Sequence, residues 1–102
     1  MRAEWNGAIL GESDYTIEVG GYHYFPREAV RMELLRPAPR TENDLKCPHG
    51  VRFFDVVVEE RVAPRVAWSY EAPRPSHASI DHWVGFWKDV QLAPTAPGVR
   101  ET

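Results

Sequence analysis

Cysteine occurs once in the 102 residues, at position 47. A lone thiol excludes an internal disulfide and a four-cysteine zinc site. It fits a reducing compartment, so a cytoplasmic location is expected. Lysine is nearly as scarce: Lys46 and Lys88 stand against ten arginines. No run approaches the roughly 18–20 apolar residues that cross a bilayer. The opening MRAEWNG has no apolar stretch, so neither a membrane partner nor a signal peptide is expected. Cationic excess is also missing. The net charge is −3 and the pI about 5.8, which argues against a nucleic-acid partner. Internal repeats and low-complexity blocks are absent.

What is present is the balance of a folded domain. Hydrophobic residues make up 43% and charged residues 26%, enough for one core over residues 1–93. A flexible tail is expected over residues 94–102. Nine prolines and seven glycines disfavour long helices and favour short strands joined by turns.

Asn6-Gly7 between apolar flanks is a strong hairpin signal. Tyr15, Ile17 and Val19 alternate on one strand face, and Gly20-Gly21 turns the chain into Tyr22–Phe25. Pro26 suits the first turn of a helix, predicted over 27–35 from Val30, Leu34 and Leu35. Residues 36–49 read as a proline-rich surface loop. Val51 to Glu59 reads as a strand covered on both sides, with Phe54, Val56 and Val58 on one face and Phe53 and Val57 on the other. A returning strand ends at Val66-Ala67-Trp68-Ser69-Tyr70, with Pro64 marking an irregular or edge stretch. Ile80, Trp83, Val84 and Trp87 fall at i, i+3, i+4 and i+7, which predicts a second short helix over 77–87, weakened by Gly85. Asp89 to Ala93 reads as a last strand.

Four segments in this order carry a family resemblance: Tyr24-Phe25-Pro26-Arg27-Glu28, Cys47-Pro48-His49-Gly50, Ala67-Trp68-Ser69-Tyr70 and Trp83-Val84-Gly85-Phe86. The chain resembles the small, mostly bacterial family known as domain of unknown function 427, over about Tyr24 to Val90. The resemblance implies a beta-tent-like fold: mainly β (α+β), an antiparallel sheet assembly with two short helices. Members of that family usually have a Thr just before the Cys-Pro and a Lys just before the Gly. Here Thr41 lies farther upstream and His49 precedes Gly50. A nucleotidyltransferase label also attaches to the family. Such chemistry needs carboxylates that hold Mg²⁺ against phosphates. The sequence has no Gly-Ser followed by Asp-x-Asp and no paired acids on a strand, so that activity is not expected.

Candidate residues follow from chemistry. Cys47 and His49 could pair as nucleophile and base, although no third orienting group is identifiable. His23, Cys47, His49, His77 and His82 lack the spacing of a metal site, so no metal and no cofactor are expected. Tyr24, Phe25, Trp68, Tyr70, Trp83 and Trp87 form an aromatic set drawn from three segments. Aromatic walls with a few polar groups line small-ligand pockets. The helical stripe assigns Trp83 and Trp87 to the core, while Tyr24, Trp68 and Tyr70 suit core and pocket equally. Arg27, Arg31, Arg36 and Arg40 read as a solvated stripe paired with Glu28 and Glu33. Arg27 is the exception, because it lies inside the matching segment. The leading expectation is a small-ligand-binding module with an aromatic pocket for a planar or anionic molecule, bound through Tyr24, Arg27, Trp68 and Tyr70. An enzyme using Cys47 or His49, and a homodimeric interaction domain, are the alternatives.

Overall fold

A computed structural model describes residues 1–94. The expected tail over 94–102 falls, beyond residue 94, outside the described residues. The chain builds two antiparallel sheets. The smaller has β1 (Arg2–Trp5), β2 (Ala8–Glu12) and β9 (Gln91–Ala93), in the order β2-β1-β9. The larger contains β3 (Ile17–Val19), β4 (Tyr22–Phe25), β5 (Leu35–Pro37), β6 (Val51–Val58), β7 (Arg61–Tyr70) and β8 (Val84–Phe86). Its order is β3-β4-β8-β7-β6-β5. Helical structure among the described residues is limited to α1 (Glu42–Leu45) and short 3-10 segments. The protein is thus mainly antiparallel β, as its prolines and turns predict.

The Asn6-Gly7 hairpin forms, with both turn residues at positive φ, 52° and 79°. Gly20-Gly21 joins β3 to β4. The β6–β7 hairpin turns at Glu59-Glu60. Its register shifts between Phe54 and Val56, opposite Pro64 and Arg65. Pro64 lies where β7 has run past β8, whose pairing covers only Ala67 to Ser69. The missing N–H of Pro64 therefore faces no partner strand on that side.

Both predicted helices are corrected. Over 27–35 the chain forms 3-10 turns at Arg27–Ala29 and Met32–Leu34, then enters β5. Val30 between them is extended (φ −109°, ψ 138°) and bridges to Gly11. Over 77–87 a 3-10 segment, Pro75–Ile80, gives way to β8. The expected loop 36–49 also carries the end of β5 and α1. Thr41 caps α1: its side chain accepts from the Asp44 amide, and the Asp44 carboxylate accepts from the Thr41 amide.

Alternation along the strands sorts the side chains of the large sheet onto two faces. Phe25, Phe54, Val56, Val84 and Phe86 point to one face and, with Ala3, Leu10 and Val90 of the smaller sheet and its flank, form the main core. The opposite face carries Tyr24, Trp68, Val51 and Ile80 as a second cluster, flanked by half-buried Phe53, Tyr70, Trp83 and Trp87.

An aromatic cleft on the second face of the sheet

Register places one row of residues across five strands: Ile17, Tyr24, Gly85, Trp68 and Phe53. Gly85 is the notch in that row. With no side chain there, Tyr24 and Trp68 lean together over β8, edge to face, with ring centres 5.8 Å apart at 90°. Trp68 Nε1 donates to the Tyr24 hydroxyl at 3.3 Å, which satisfies a buried indole N–H. Burial pushes the Tyr24 phenol well above its ordinary pKa. The Trp68 hydrogen bond opposes that shift and the neighbouring Tyr70 adds to it.

Around Trp68 stand Tyr22 at 5.1 Å, Trp87 at 5.6 Å and Phe53 at 6.3 Å between ring centres. Tyr22, Phe53, Trp68, Tyr70 and Trp87, with Val51, enclose an open cleft of about 160 Å³. It adjoins a wider groove of about 620 Å³ that shares Val51, Phe53, Tyr70 and Trp87 and adds Asp44, Cys47, Arg65 and Lys88. Two cations stand over aromatic faces at this junction: the Arg65 guanidinium lies 4.2 Å from the centre of Phe53, and Lys88 Nζ lies 4.6 Å from that of Trp87. Trp87 is fixed by its own indole, which donates to the Arg65 carbonyl at 2.7 Å. Arg65 is fixed in turn by Asp44, at 2.8 Å. That hydrogen bond holds the Asp44 carboxyl below the usual carboxylate range, against the opposing effect of burial.

The four residues expected to bind ligand do not all meet. Tyr24, Trp68 and Tyr70 converge, with Tyr24 beneath the cleft at 2% exposure and Trp68 forming its floor at 5%. Arg27 lies on the other face of the sheet. Its guanidinium donates to the His82 carbonyl at 3.1 Å and to Ser69 Oγ at 3.5 Å, and it lies 3.9 Å from Glu71. Ser69 alternates with Trp68 and Tyr70 along β7, which puts a sheet between Arg27 and the cleft. Trp87, expected in the core, is half-buried and lines the cleft. Tyr22, Val51 and Phe53 complete the lining. Strand alternation alone pairs Tyr22 with Tyr24 and sets Phe53 opposite Phe54, so that signal was available in the sequence.

Residues 1–94 match the family described as Domain of unknown function (DUF427). The chain belongs to this family. No curated protein matches it. In this DUF427 chain the Cys47-Pro48-His49-Gly50 turn docks against the end of β7. Ala72 donates its amide to the His49 carbonyl and Glu71 to that of Gly50, each at 3.1 Å. Gly50 has φ +66°, and a β-carbon there would lie 3.2 Å from Ala72, so the tight turn requires glycine. Cys47 packs half-buried against the aromatic cluster and lines the wide groove. His49 accepts the Arg74 amide through Nδ1 at 3.0 Å and stacks on His77 with ring centres 4.0 Å apart. Among the described residues no hydrogen bond joins Cys47 to His49, and no group of three His, Cys, Asp or Glu could hold a metal ion.

Proposed function

We infer that this domain is a binding module that takes the flat face of a small molecule into the cleft of Tyr22, Phe53, Trp68, Tyr70 and Trp87. One observation carries the reading: five aromatic side chains from three strands and a turn surround open volume instead of filling it. Trp68 itself is covered, but its neighbours leave the cleft open: Tyr22 is 40% exposed and Phe53, Tyr70 and Trp87 are half-buried, whereas Phe25 and Phe86 on the opposite face are at most 1% exposed. The cleft's about 160 Å³ suits one planar ring, since an engineered apolar cavity of about 150 Å³ holds benzene. Mutually perpendicular rings offer both faces and edges to such a guest. Cys47 lines the adjoining groove, and His49 reaches the cleft only through its ring contact with Tyr70.

The test is a titration of planar heteroaromatic compounds followed by amide and indole NMR shifts. Binding should move the indole signals of Trp68 and Trp87. Tyr22→Ala should weaken it by about tenfold while the fold is kept, because Tyr22 is 40% exposed and its loss opens little core. Compounds that shift only residues outside the cleft, or that bind Tyr22→Ala unchanged, would refute the reading. If the aromatic face is instead a contact between two copies, its signals will depend on protein concentration without any added compound.

A further inference from the structure

The cleft's open side carries a second kind of chemistry. Five residues other than glycine hold a positive φ among those described: Asn6, Glu59, Arg65, His82 and Lys88. Asn6 and Glu59 serve hairpin turns. Arg65 (φ 54°) and Lys88 (φ 61°) are the two cations that stand over Phe53 and Trp87. The left-handed conformation is costly for long side chains and persists where the surroundings enforce it. Here the enforcing bonds are visible. The Arg65 amide donates to Asp55 at 3.0 Å, and the Arg65 carbonyl accepts the Trp87 indole. The Trp87 amide donates to the Val66 carbonyl at 3.0 Å, and the Val90 amide donates back to the Trp87 carbonyl at 3.3 Å. Arg65 thus sits in the irregular stretch of β7 opposite Asp55 and Lys88 in the turn after β8, and both positions stand a positive group at the mouth of the aromatic cleft.

We propose that Arg65 and Lys88 form an anion subsite next to the aromatic cleft, and that the ligand is a planar ring bearing one acidic group. The proposal rests on reading the cleft as a ligand site. Charge in the groove sets the number of acidic groups. Asp44 is committed to Arg65 and to the Thr41 amide, and Asp55 to the Arg65 amide. Lys88 has no carboxylate partner among the described residues and is exposed. Of the charged side chains that line the groove, Asp44 pairs with Arg65 and Lys88 remains, so the lining carries one positive charge in excess, which matches a monoanion. A ring seated on Trp68 would point its acidic substituent out of the apolar cleft toward Lys88, with Arg65 as the second donor. A neutral analogue gains the ring contacts only.

Nicotinate and nicotinamide test this, because they share a ring and differ in the charge of one substituent. Each is titrated into the whole protein at low salt, with affinity read from the NMR shifts of cleft residues. Nicotinate should bind about threefold to tenfold more tightly than nicotinamide, and added salt should shrink the difference. Lys88→Asn removes the charge with a residue that tolerates positive φ, and should bring the two affinities together. Lys88→Arg should restore the preference. Equal binding of both compounds to the unaltered protein would overturn the anion subsite and leave the cleft standing. A preference that survives Lys88→Asn would overturn the assignment to Lys88. Failure of both compounds to move any cleft resonance would count against the cleft itself.

Discussion

A β-carbon on Gly85 would lie 2.8 Å from Trp68 Cζ2, so the glycine and the tryptophan are parts of one packing arrangement. The same β-carbon would stand 3.1 Å from Tyr24 Cε2. The strand between the two rings is thin because it must be. Gly85 lets both side chains cross above it, and their hydrogen bond closes over the gap. The floor of the cleft is therefore set by a residue that has no side chain in it.

Gly85→Ala should destabilise the protein by about 1–3 kcal/mol, the range for forcing an extra carbon into a packed site. Thermal melting gives the size. Trp68→Phe removes the ring atoms nearest the added methyl, so the double variant should lose less stability than the two single losses added together. Strict additivity would mean that the contact with Trp68 is not the cause.

Tyr24→Phe tests the hydrogen bond. It leaves the Trp68 indole N–H buried without its acceptor, at a cost of about 1–2 kcal/mol. A pH signature accompanies it. The Tyr24 phenol ionises at a higher pH in the folded chain than the ordinary 10.0, so above that value the unfolded chain releases its proton first. Stability from this group is complete below pH 10.0 and declines as pH rises past it. Alkaline denaturation should be less steep in Tyr24→Phe; an unchanged slope would show that Tyr24 is not the group responsible.

The sequence made the hairpins legible because their signals are local. Asn6-Gly7, Gly20-Gly21 and the alternation of β6 each fix a strand without reference to the rest of the chain. The helix over 77–87 failed for a physical reason. Trp83-Val84-Gly85-Phe86-Trp87 satisfies a helical spacing through Ile80, Trp83, Val84 and Trp87, yet it also alternates, with Trp83, Gly85 and Trp87 against Val84 and Phe86. Short apolar runs satisfy both periods, and tertiary pairing decides. Here β4 and β7 supply the partners. Arg27 stands apart from the cleft for a related reason. Its nearness in sequence to Tyr24 says nothing about sheet faces, and a 3-10 turn after Pro26 carries it to the far side. Residues contributed by register, such as Phe53 opposite Trp68, become visible only when strand order is known.

Asp44 should matter more than its place in a single-turn helix suggests. It completes the cap of α1 and holds Arg65 above Phe53. Asp44→Ala should lower stability by about 1–3 kcal/mol through the lost cap and a lost charge-assisted bond. Its carboxyl titrates below the ordinary 3.8 in the folded chain, chiefly through the Arg65 hydrogen bond. The unfolded state therefore takes up the proton first as pH falls. Stability from this group is complete above pH 3.8 and is lost below it. Acid unfolding curves of Asp44→Asn should lack that share of the slope. An identical curve would place the acid sensitivity elsewhere.

His49 gives the last prediction. Burial lowers its pKa below the ordinary 6.5, and the nearby charges of His77 and Arg74 lower it further. The folded arrangement uses the neutral ring: Nδ1 accepts the Arg74 amide, which a protonated nitrogen cannot do, and the ring stacks on His77. Tyr70 is the remaining ring against it, 5.3 Å between centres. The unfolded chain protonates near 6.5 while the folded chain resists, so stability from this group is full above that pH and falls away as pH drops through the lowered folded value. The ring-proton NMR shift of His49 should have its midpoint below 6.5, and the Arg74 amide should lose exchange protection over the same range. His77→Asn removes one of the two neighbours whose charge lowers the His49 pKa and should raise the midpoint. Because Tyr70 lines the aromatic cleft, its ring signals should move in step with His49. A midpoint at or above 6.5, or an Arg74 amide indifferent to it, would show that the neutral His49 acceptor is not what ties the 74–80 segment to the sheet.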